Sequence, residues 1–313
     1  MRSGAALFVG DIGADLTLLV PGVPVADEKV VATHVSEDAG GVVANAAVAC
    51  HLSGAAVEAV LAIGEDAEGS FVLSRLRERG LVVTSERRTG RTYRSVITVA
   101  KDGEKRLVIA PGVSLYPSIE LIRSVDVRRT SWVHTAAYDP VAAAALADLC
   151  RRSATPWSID LEPATLATGL DGARGWLAGA HTVFLNRQAA DLLGPEYVPS
   201  LRHLGVQEVI LTLGAEGARL HAGDDSVTDI RPSPTVVVDT TGAGDALAGW
   251  YIGRRLALAD PVDALTEAVT AASLSCRRPG AQGSYPDRDA VLQERHSGNV
   301  SDPRLRHPRK ANL

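Results

Sequence analysis

The chain has 313 residues, 46% of them hydrophobic, 22% charged and only 4% aromatic. That length predicts one or two domains with a large buried core, and a core so poor in aromatics is aliphatic, as suits a parallel sheet covered by helices. The formal net charge of −5 carries no electrostatic footprint for nucleic acid, and no stretch reaches the ~18 apolar residues of a membrane span.

Cys50, Cys150 and Cys276 are far apart and show neither metal-ligand spacing nor a disulfide framework. The first two sit in alanine-rich stretches and read as packing residues. The N-terminus lacks the basic start and apolar run of a signal peptide, so a cytoplasmic location is the expectation.

Along the chain, Ala5 to Val9 reads as the first strand. Asp15 to Val20 and Lys29 to Val35 read as two more, with no helix between them. An alanine-rich helix leads into the strand Val57 to Ile63. Thr92 to Ala100 and Arg106 to Ala110 read as a pair joined by Lys101-Asp102-Gly103-Glu104, where Asp-Gly is a strong hairpin signal. Partial alternation at Tyr93, Ser95, Val96, Thr98 and Val99 suits a sheet with one wet face. Beyond these, Ser131 to Thr135, Ser158 to Leu161, Thr182 to Leu185 and Val209 to Leu213 read as strands, with helical stretches such as Val141 to Arg152 and Gln188 to Leu193 among them.

This alternation predicts βαβ units: an α/β fold with a doubly wound, mainly parallel sheet flanked by helices. The segments that break the rhythm, about 15–38 and 91–111, predict a small antiparallel β sheet, either a lid over a site or a decorative edge. Residues 1–295 form one domain in this reading. Residues 296–313, with Arg304, Arg306, Arg309 and Lys310, read as a solvated tail.

The sharpest local signal runs from Val236-Val237-Val238 through Asp239-Thr240-Thr241-Gly242-Ala243-Gly244-Asp245 into Ala246-Leu247-Ala248-Gly249. An apolar run ends in a glycine-rich turn that opens a helix. A helix start leaves backbone N–H groups unpaired beside the positive end of its dipole, and small residues let an anion approach closely. A carboxylate here either caps the helix or takes a proton from an attacking hydroxyl while the amides hold phosphate. No glycine is followed directly by lysine, so the Walker A pattern is absent. The dinucleotide fingerprint also fails, because its third small position falls on Leu247.

The run DTTGAGD resembles the C-terminal signature of ribokinase-like, or PfkB-type, sugar kinases. Gly40-Gly41-Val42-Val43-Ala44-Asn45-Ala46, followed by Gly54 and Gly64-Glu65-Asp66-Ala67-Glu68-Gly69, resembles the family's N-terminal signature. The likeness covers about residues 5–292. It implies a ribokinase-like fold and a kinase that moves the terminal phosphoryl group of ATP onto a sugar hydroxyl, with Mg2+ and, in part of the family, K+.

Residue by residue, the resemblance makes Asp245 the catalytic base and the amides of Gly242, Ala243 and Gly244 an anion hole. Asp15, with Gly13, Gly40, Gly41 and Asn45, would hold the sugar. Asn186, Thr212, Gly214, Gly217, Ala272 and Ser275 would meet the nucleotide. Asp239, Thr241, Ser275, Arg278, Gly280 and Ser284 correspond to a monovalent-cation loop. The alternative explanations are a strand-entry turn for Asp15, a capping or buried helix residue for Asn45, and a plain strand-end turn for residues 212–217.

Two departures stand out. The family's Asn-x-x-Glu is Asn186-Arg187-Gln188-Ala189 here, and Asp160 and Glu162 are candidates to replace the missing glutamate near magnesium. Gly13 stands where ribokinase carries a sugar-contacting asparagine, which weakens any expectation of ribose. Few aromatics favour sugars over nucleosides. A nucleoside kinase, a non-catalytic sugar- or nucleotide-binding regulator and an oxidoreductase are the alternatives, the last opposed by the failed fingerprint. Partners are expected to be the sugar and ATP, with no nucleic acid or membrane. Exposed lid edges invite pairing, so a homodimer is a further expectation.

Overall fold

Short aliphatic runs alternating with helices assemble two sheets in this computed structural model, which describes residues 4–101, 105–113 and 115–297. The strands are β1 (Ala5–Gly10), β2 (Gly13–Val20), β3 (His34–Gly40), β4 (Ala56–Gly64), β5 (Val82–Arg88), β6 (Arg94–Ala100), β7 (Lys105–Ala110), β8 (Trp132–Ala136), β9 (Trp157–Leu161), β10 (Thr182–Asn186), β11 (Glu208–Thr212), β12 (Ala218–His221) and β13 (Val227–Ile230). The helices are α1 (Val42–Leu52), α2 (Ala67–Glu78), α3 (Ile119–Ser124), α4 (Pro140–Ser153), α5 (Gly169–Leu177), α6 (Arg187–Leu193), α7 (Tyr197–His203), α8 (Ala243–Leu256), α9 (Pro261–Ser275) and α10 (Arg288–His296).

The large sheet has the order β13-β12-β11-β10-β9-β8-β1-β4-β5. From β11 to β5 every pairing is parallel, and β12 and β13 add an antiparallel edge. All six residues of β1 are buried, as expected of a central strand covered on both faces. One face packs against α1, α2, α8 and α9, the other against α4, α5, α6 and α7. Strand order reverses between β1 and β8. In open α/β sheets a ligand crevice forms at such a switch, outside the carboxyl ends of the strands.

The second sheet has the order β3-β2-β6-β7. Its outer pairings are antiparallel and its central β2–β6 pairing is parallel. The third strand runs His34–Gly40, where Lys29 to Val35 is expected. Pairing of Gly13 with Gly40 sets the register, so the polar stretch His34 to Asp38 faces Leu19 to Asp15 and tertiary pairing overrides its weak strand propensity. Strands β6 and β7 pair from Arg94–Ala110 to Val99–Lys105. The turn residues 102–104 lie outside the described residues; of the tail expected from residue 296, His296 instead ends α10 with Ser297 as its C-cap, and the residues from 298 lie outside the described ones.

Cys50, Cys150 and Cys276 are buried free thiols, in keeping with packing roles. Among the described residues no helix is long and apolar enough to cross a membrane.

Candidate active site at the sheet switch point

The residue after β1 organises the crevice. Asp11 is 4% exposed. Its carboxylate accepts from the Val42 and Val43 N–H groups (2.8 and 2.9 Å) and from the Tyr93 hydroxyl (3.0 Å). It therefore caps α1, whose N-cap residue Gly41 has φ 107° and no side chain to do so. A Cβ at Gly41 would lie 2.9 Å from both Asp11 and the Tyr93 hydroxyl, so this corner closes only around glycine.

With α1 held there, buried Asn45 meets α8. Its Nδ2 donates to Asp245 Oδ2 at 2.8 Å, and its Oδ1 accepts from Gln282 Nε2 at 2.9 Å. Gln282 thus fixes which face of the Asn45 amide looks at the carboxylate.

Helices α2, α4, α9 and α10 begin with aspartates that accept from their first-turn amides. Helix α8 begins at Gly242, in the left-handed region at φ 72°, with no side-chain cap. A Cβ there would sit 2.4 Å from the Tyr285 hydroxyl, which itself donates to Gly242 O at 2.8 Å. Ala243 N–H turns back to Thr240 O at 3.3 Å and Ala246 N–H bonds Gly242 O at 2.8 Å. The amides of Gly244 and Asp245 have no acceptor within the helix, which leaves a place for an anion.

Asp245, Asp11, Asp15, Glu162, Asn45 and Gly41 line one cavity of about 270 Å3, with Tyr93 and Tyr138. Burial pushes Asp245 up to about 8, Glu162 and Asp11 add to this, and Asn45 and Lys105 oppose it. Asp15 rises to about 6, again from burial, opposed by Ser95 and reinforced by Asp11. Glu162 is raised by burial, against the hydrogen bond that the Tyr138 hydroxyl donates to it. Burial raises all four carboxyl groups around this one concave space, Asp11 included, an arrangement typical of functional sites.

The small sheet roofs this cavity. Cross-strand register places Asp15, Ser95 and Ile109 in one row and Thr17, Ile97 and Leu107 in the next, and Ser95, Ile97, Leu107 and Ile109 line the cavity. One face of the small sheet thus forms part of the cavity wall.

A family model described as "pfkB family carbohydrate kinase" matches residues 5–288. The chain belongs to the pfkB carbohydrate kinase family. It is 31% identical over 291 residues to an ATP-dependent ribose-1-phosphate kinase of Halopiger xanaduensis, covering 91% of this chain and 96% of that protein. It is 26% identical to a ribokinase of Haemophilus influenzae, with the same coverage. Among solved structures it resembles the ribokinase of Giardia lamblia (TM-score 0.83, 20% identity, 95% and 100% of the two chains). It likewise resembles an Arabidopsis thaliana ribokinase complexed with ribose and ATP (TM-score 0.77, 24% identity, 94% and 98%).

In this kinase Asp15, Gly41, Asn45, Gly242 and Asp245 meet at the cavity. Gly13 and Gly40 act one step back. A Cβ at Gly40 would lie 2.0 Å from the Asp15 carboxylate, and one at Gly13 2.3 Å from the Tyr93 ring. The space that an asparagine would take at position 13 is filled by Tyr93.

Along the carboxyl edge, Asn186 Oδ1 accepts from Ala189 N–H at 2.8 Å and caps α6. Ala189 is fully buried, so a glutamate there would need a different helix rotation. Thr212 ends β11, and Gly214 and Gly217 flank a 3-10 turn, both at positive φ. Ala272 and Ser275 lie on α9.

The proposed cation loop forms a clasp. Asp239 Oδ1 accepts from Thr241 N–H and Thr241 Oγ1 (2.9 and 2.6 Å), and Oδ2 from Gly280 N–H (2.8 Å). Ser284 is buried and donates to Ala281 O, whereas Arg278 is exposed.

Asp11, Tyr93, Lys105, Tyr138 and Gln282 escape the sequence reading as site residues. Asp11 lies four positions before Asp15, just after the first strand, and was within reach. Tyr93, Lys105 and Tyr138 reach the cavity, and Gln282 reaches Asn45, through tertiary packing, and none of the four carries a local signal.

Proposed function

We propose that this kinase transfers the terminal phosphoryl group of ATP to a hydroxyl of a small sugar, with Asp245 as general base. The observation that carries this reading is Asp245 held by Asn45 at 2.8 Å beside the uncapped start of α8. A hydroxyl presented by Asp15 and Asn45 attacks the terminal phosphorus, its proton passes to Asp245, and the amides at the start of α8 face the charge on the phosphoryl oxygens. The lid keeps water from ATP.

The nucleotide is assigned to the crevice edged by Asn186, Thr212, Gly214 and Gly217. Ala272 and Ser275 lie on the adenine side, where Val236, Val237 and Val238 are 53–83% exposed and Val238 N–H is tied to Cys276 O at 2.8 Å. Apolar side chains left open there suit a base ring. Asp160 and Glu162 supply the oxygen donors magnesium prefers and would hold it among its waters. When bound, the ion offsets phosphate charge. Among the described residues no three acidic, histidine or cysteine side chains converge to hold a metal by themselves, which fits an ion held largely by phosphate.

The aliphatic side chains Ile97, Leu107 and Ile109 along the cavity wall favour a second reading, a nucleoside kinase whose base lies under the lid. The test is ADP release with Mg-ATP, in K+ and in Na+, across pentoses, hexoses, ribose 1-phosphate, sugar acids and nucleosides. Sugar-dependent turnover with an inert Asp245→Asn variant is expected. Turnover confined to nucleosides selects the second reading, and turnover surviving in the variant removes Asp245 as base. A K+ preference would assign an ion to the Asp239 clasp.

Gln282→Leu leaves Asn45 Oδ1 without its donor. A lost buried hydrogen bond costs about 1–3 kcal/mol, so kcat should fall about tenfold or more with the KM for ATP little changed. Steady-state kinetics checks this.

Edge strand β7 exposes Leu107, Val108 and Ile109 by 46–66%. An open apolar edge pairs readily, and a second copy is the occupant we assign. Val108→Glu should convert a dimer to a monomer by light scattering. A wild-type monomer would remove this assignment.

A further inference from the structure

Lys105, at the start of β7, is the only basic residue among the described residues that line the cavity, which holds four carboxyl groups. Its ammonium lies 2.7 Å from Thr241 Oγ1. That hydroxyl donates its one proton to Asp239 Oδ1 at 2.6 Å, so it must accept from the ammonium. A lysine has three N–H donors, and Thr241 uses one. Thr241 immediately precedes Gly242, where α8 starts with its amides uncapped. The lid strand thus delivers a full positive charge to the edge of the anion site.

Resting on the kinase reading above, we propose that Lys105 is a catalytic residue carried by the lid: with Thr241 as its dock, its ammonium contacts the phosphoryl group in transfer. The hydroxyl oxygen bonds to the terminal phosphorus, the bond from that phosphorus to the bridging oxygen breaks, ADP leaves, and the hydroxyl proton goes to Asp245. Lys105 keeps its three protons throughout and offsets negative charge on the transferring oxygens. Thr241 is the positioning residue.

The arrangement couples two events. The charge arrives only with β7, and β7 arrives only with the lid. An open lid leaves the anion site one cation short, so ATP without sugar reacts slowly. A lysine is suited to this: its charge is compact and its stem flexible, and it binds phosphate as a point charge. The ammonium also bears on the base. Burial raises Asp245 to about 8, and Lys105 pulls the other way. Asp11, Asp15 and Glu162 are the other acids lining this space, each raised by burial, and Asp160, outside the lining, is raised by burial as well.

The test compares Lys105→Met, Lys105→Gln and Lys105→Arg with the full-length wild type. Lys105→Gln keeps a donor for Thr241 without the charge, and thermal melts establish that each variant folds. Removing one preorganised electrostatic contact of this kind costs on the order of 10²–10³ in turnover. The expected result is that loss in kcat for Met and Gln alike, with the KM for sugar within about threefold of wild type. Arg should recover at least tenfold, and the acid limb of the kcat/KM profile should move to higher pH in Met and Gln. Activity of Gln close to wild type would overturn the proposal by making Lys105 a mere latch. So would a loss expressed wholly as a higher sugar KM, which would assign the ammonium to the acceptor. A wild type that turns over beside an unimpaired Lys105→Met defeats this proposal alone. A wild type silent with every acceptor defeats the kinase reading as well.

Discussion

Replacing Asp245 by asparagine is expected to abolish turnover and to stabilise the protein. General-base catalysis contributes about 10²–10⁴ in rate, so kcat should fall by about a thousandfold. The stability effect has the opposite sign. Burial first, then Glu162 and Asp11, raise Asp245 to about 8. Between the ordinary carboxylate range and that value the folded protein keeps a proton that the unfolded chain releases. Folding stability from this group is therefore fully present below about pH 4 and is lost as pH rises through about 8. Asparagine has no such loss and still accepts from Asn45 Nδ2. A tenfold difference in proton affinity between the folded and unfolded chain corresponds to about 1.4 kcal/mol, and the variant's advantage should grow to a few kcal/mol. Its Tm should exceed the wild-type value by roughly 5–10 °C at pH 8, by far less at pH 5, and level off above pH 8. Melts from pH 5 to 9 beside ADP-release kinetics check both halves. A Tm difference independent of pH would mean that Asp245 is not the group under strain.

The parallel sheet was legible because its strands are short, aliphatic and separated by helices, as in Val57 to Ile63 and Thr182 to Leu185. Strands β5, β12 and β13 were not. Val82–Arg88 turns charged after four residues because it is an edge strand facing water. Ala218–His221 has four residues, too few for a pattern. The turn at Gly242 to Asp245 was legible because backbone geometry dictates its residues: glycine for positive φ and small side chains for anion approach. Gln282 and Tyr93 were not. Gln282 meets Asn45 across 237 positions and Tyr93 meets Asp11 across 82, and nothing in either local sequence calls for the contact. Gly40 falls between these cases. It stands out as half of a Gly-Gly pair, yet its reason is the Asp15 carboxylate that a Cβ would strike.

Gly249→Ala separates local propensity from packing. Alanine in a helix interior is favoured over glycine by up to about 1 kcal/mol, so propensity alone predicts a more stable protein. At Gly249 the added Cβ would lie 2.1 Å from Ala46 O, 2.8 Å from Ala49 Cβ and 2.8 Å from Cys50 N. Two of those atoms are α1 backbone and cannot rotate away. One turn on, a Cβ at Gly253 would lie 1.9 Å from Ser53 Oγ, so α1 and α8 touch along a seam of small residues. Overpacking costs about 1–3 kcal/mol and here outweighs the propensity gain, lowering Tm by several degrees. The seam also carries Asn45 on α1 and Asp245 on α8, one turn from the clash. Forcing the helices apart stretches their 2.8 Å hydrogen bond, and a displacement near 1 Å in such a constellation can cost about 10²-fold in rate. Gly175→Ala on α5 is the matched control. Its Cβ would meet nothing closer than Ala144 Cβ at 3.8 Å, so propensity should win and Tm should rise. Paired melts and kcat for the two variants decide it. Equal stabilisation by both would mean that α1 and α8 have slack between them and that the Asn45–Asp245 distance is set elsewhere.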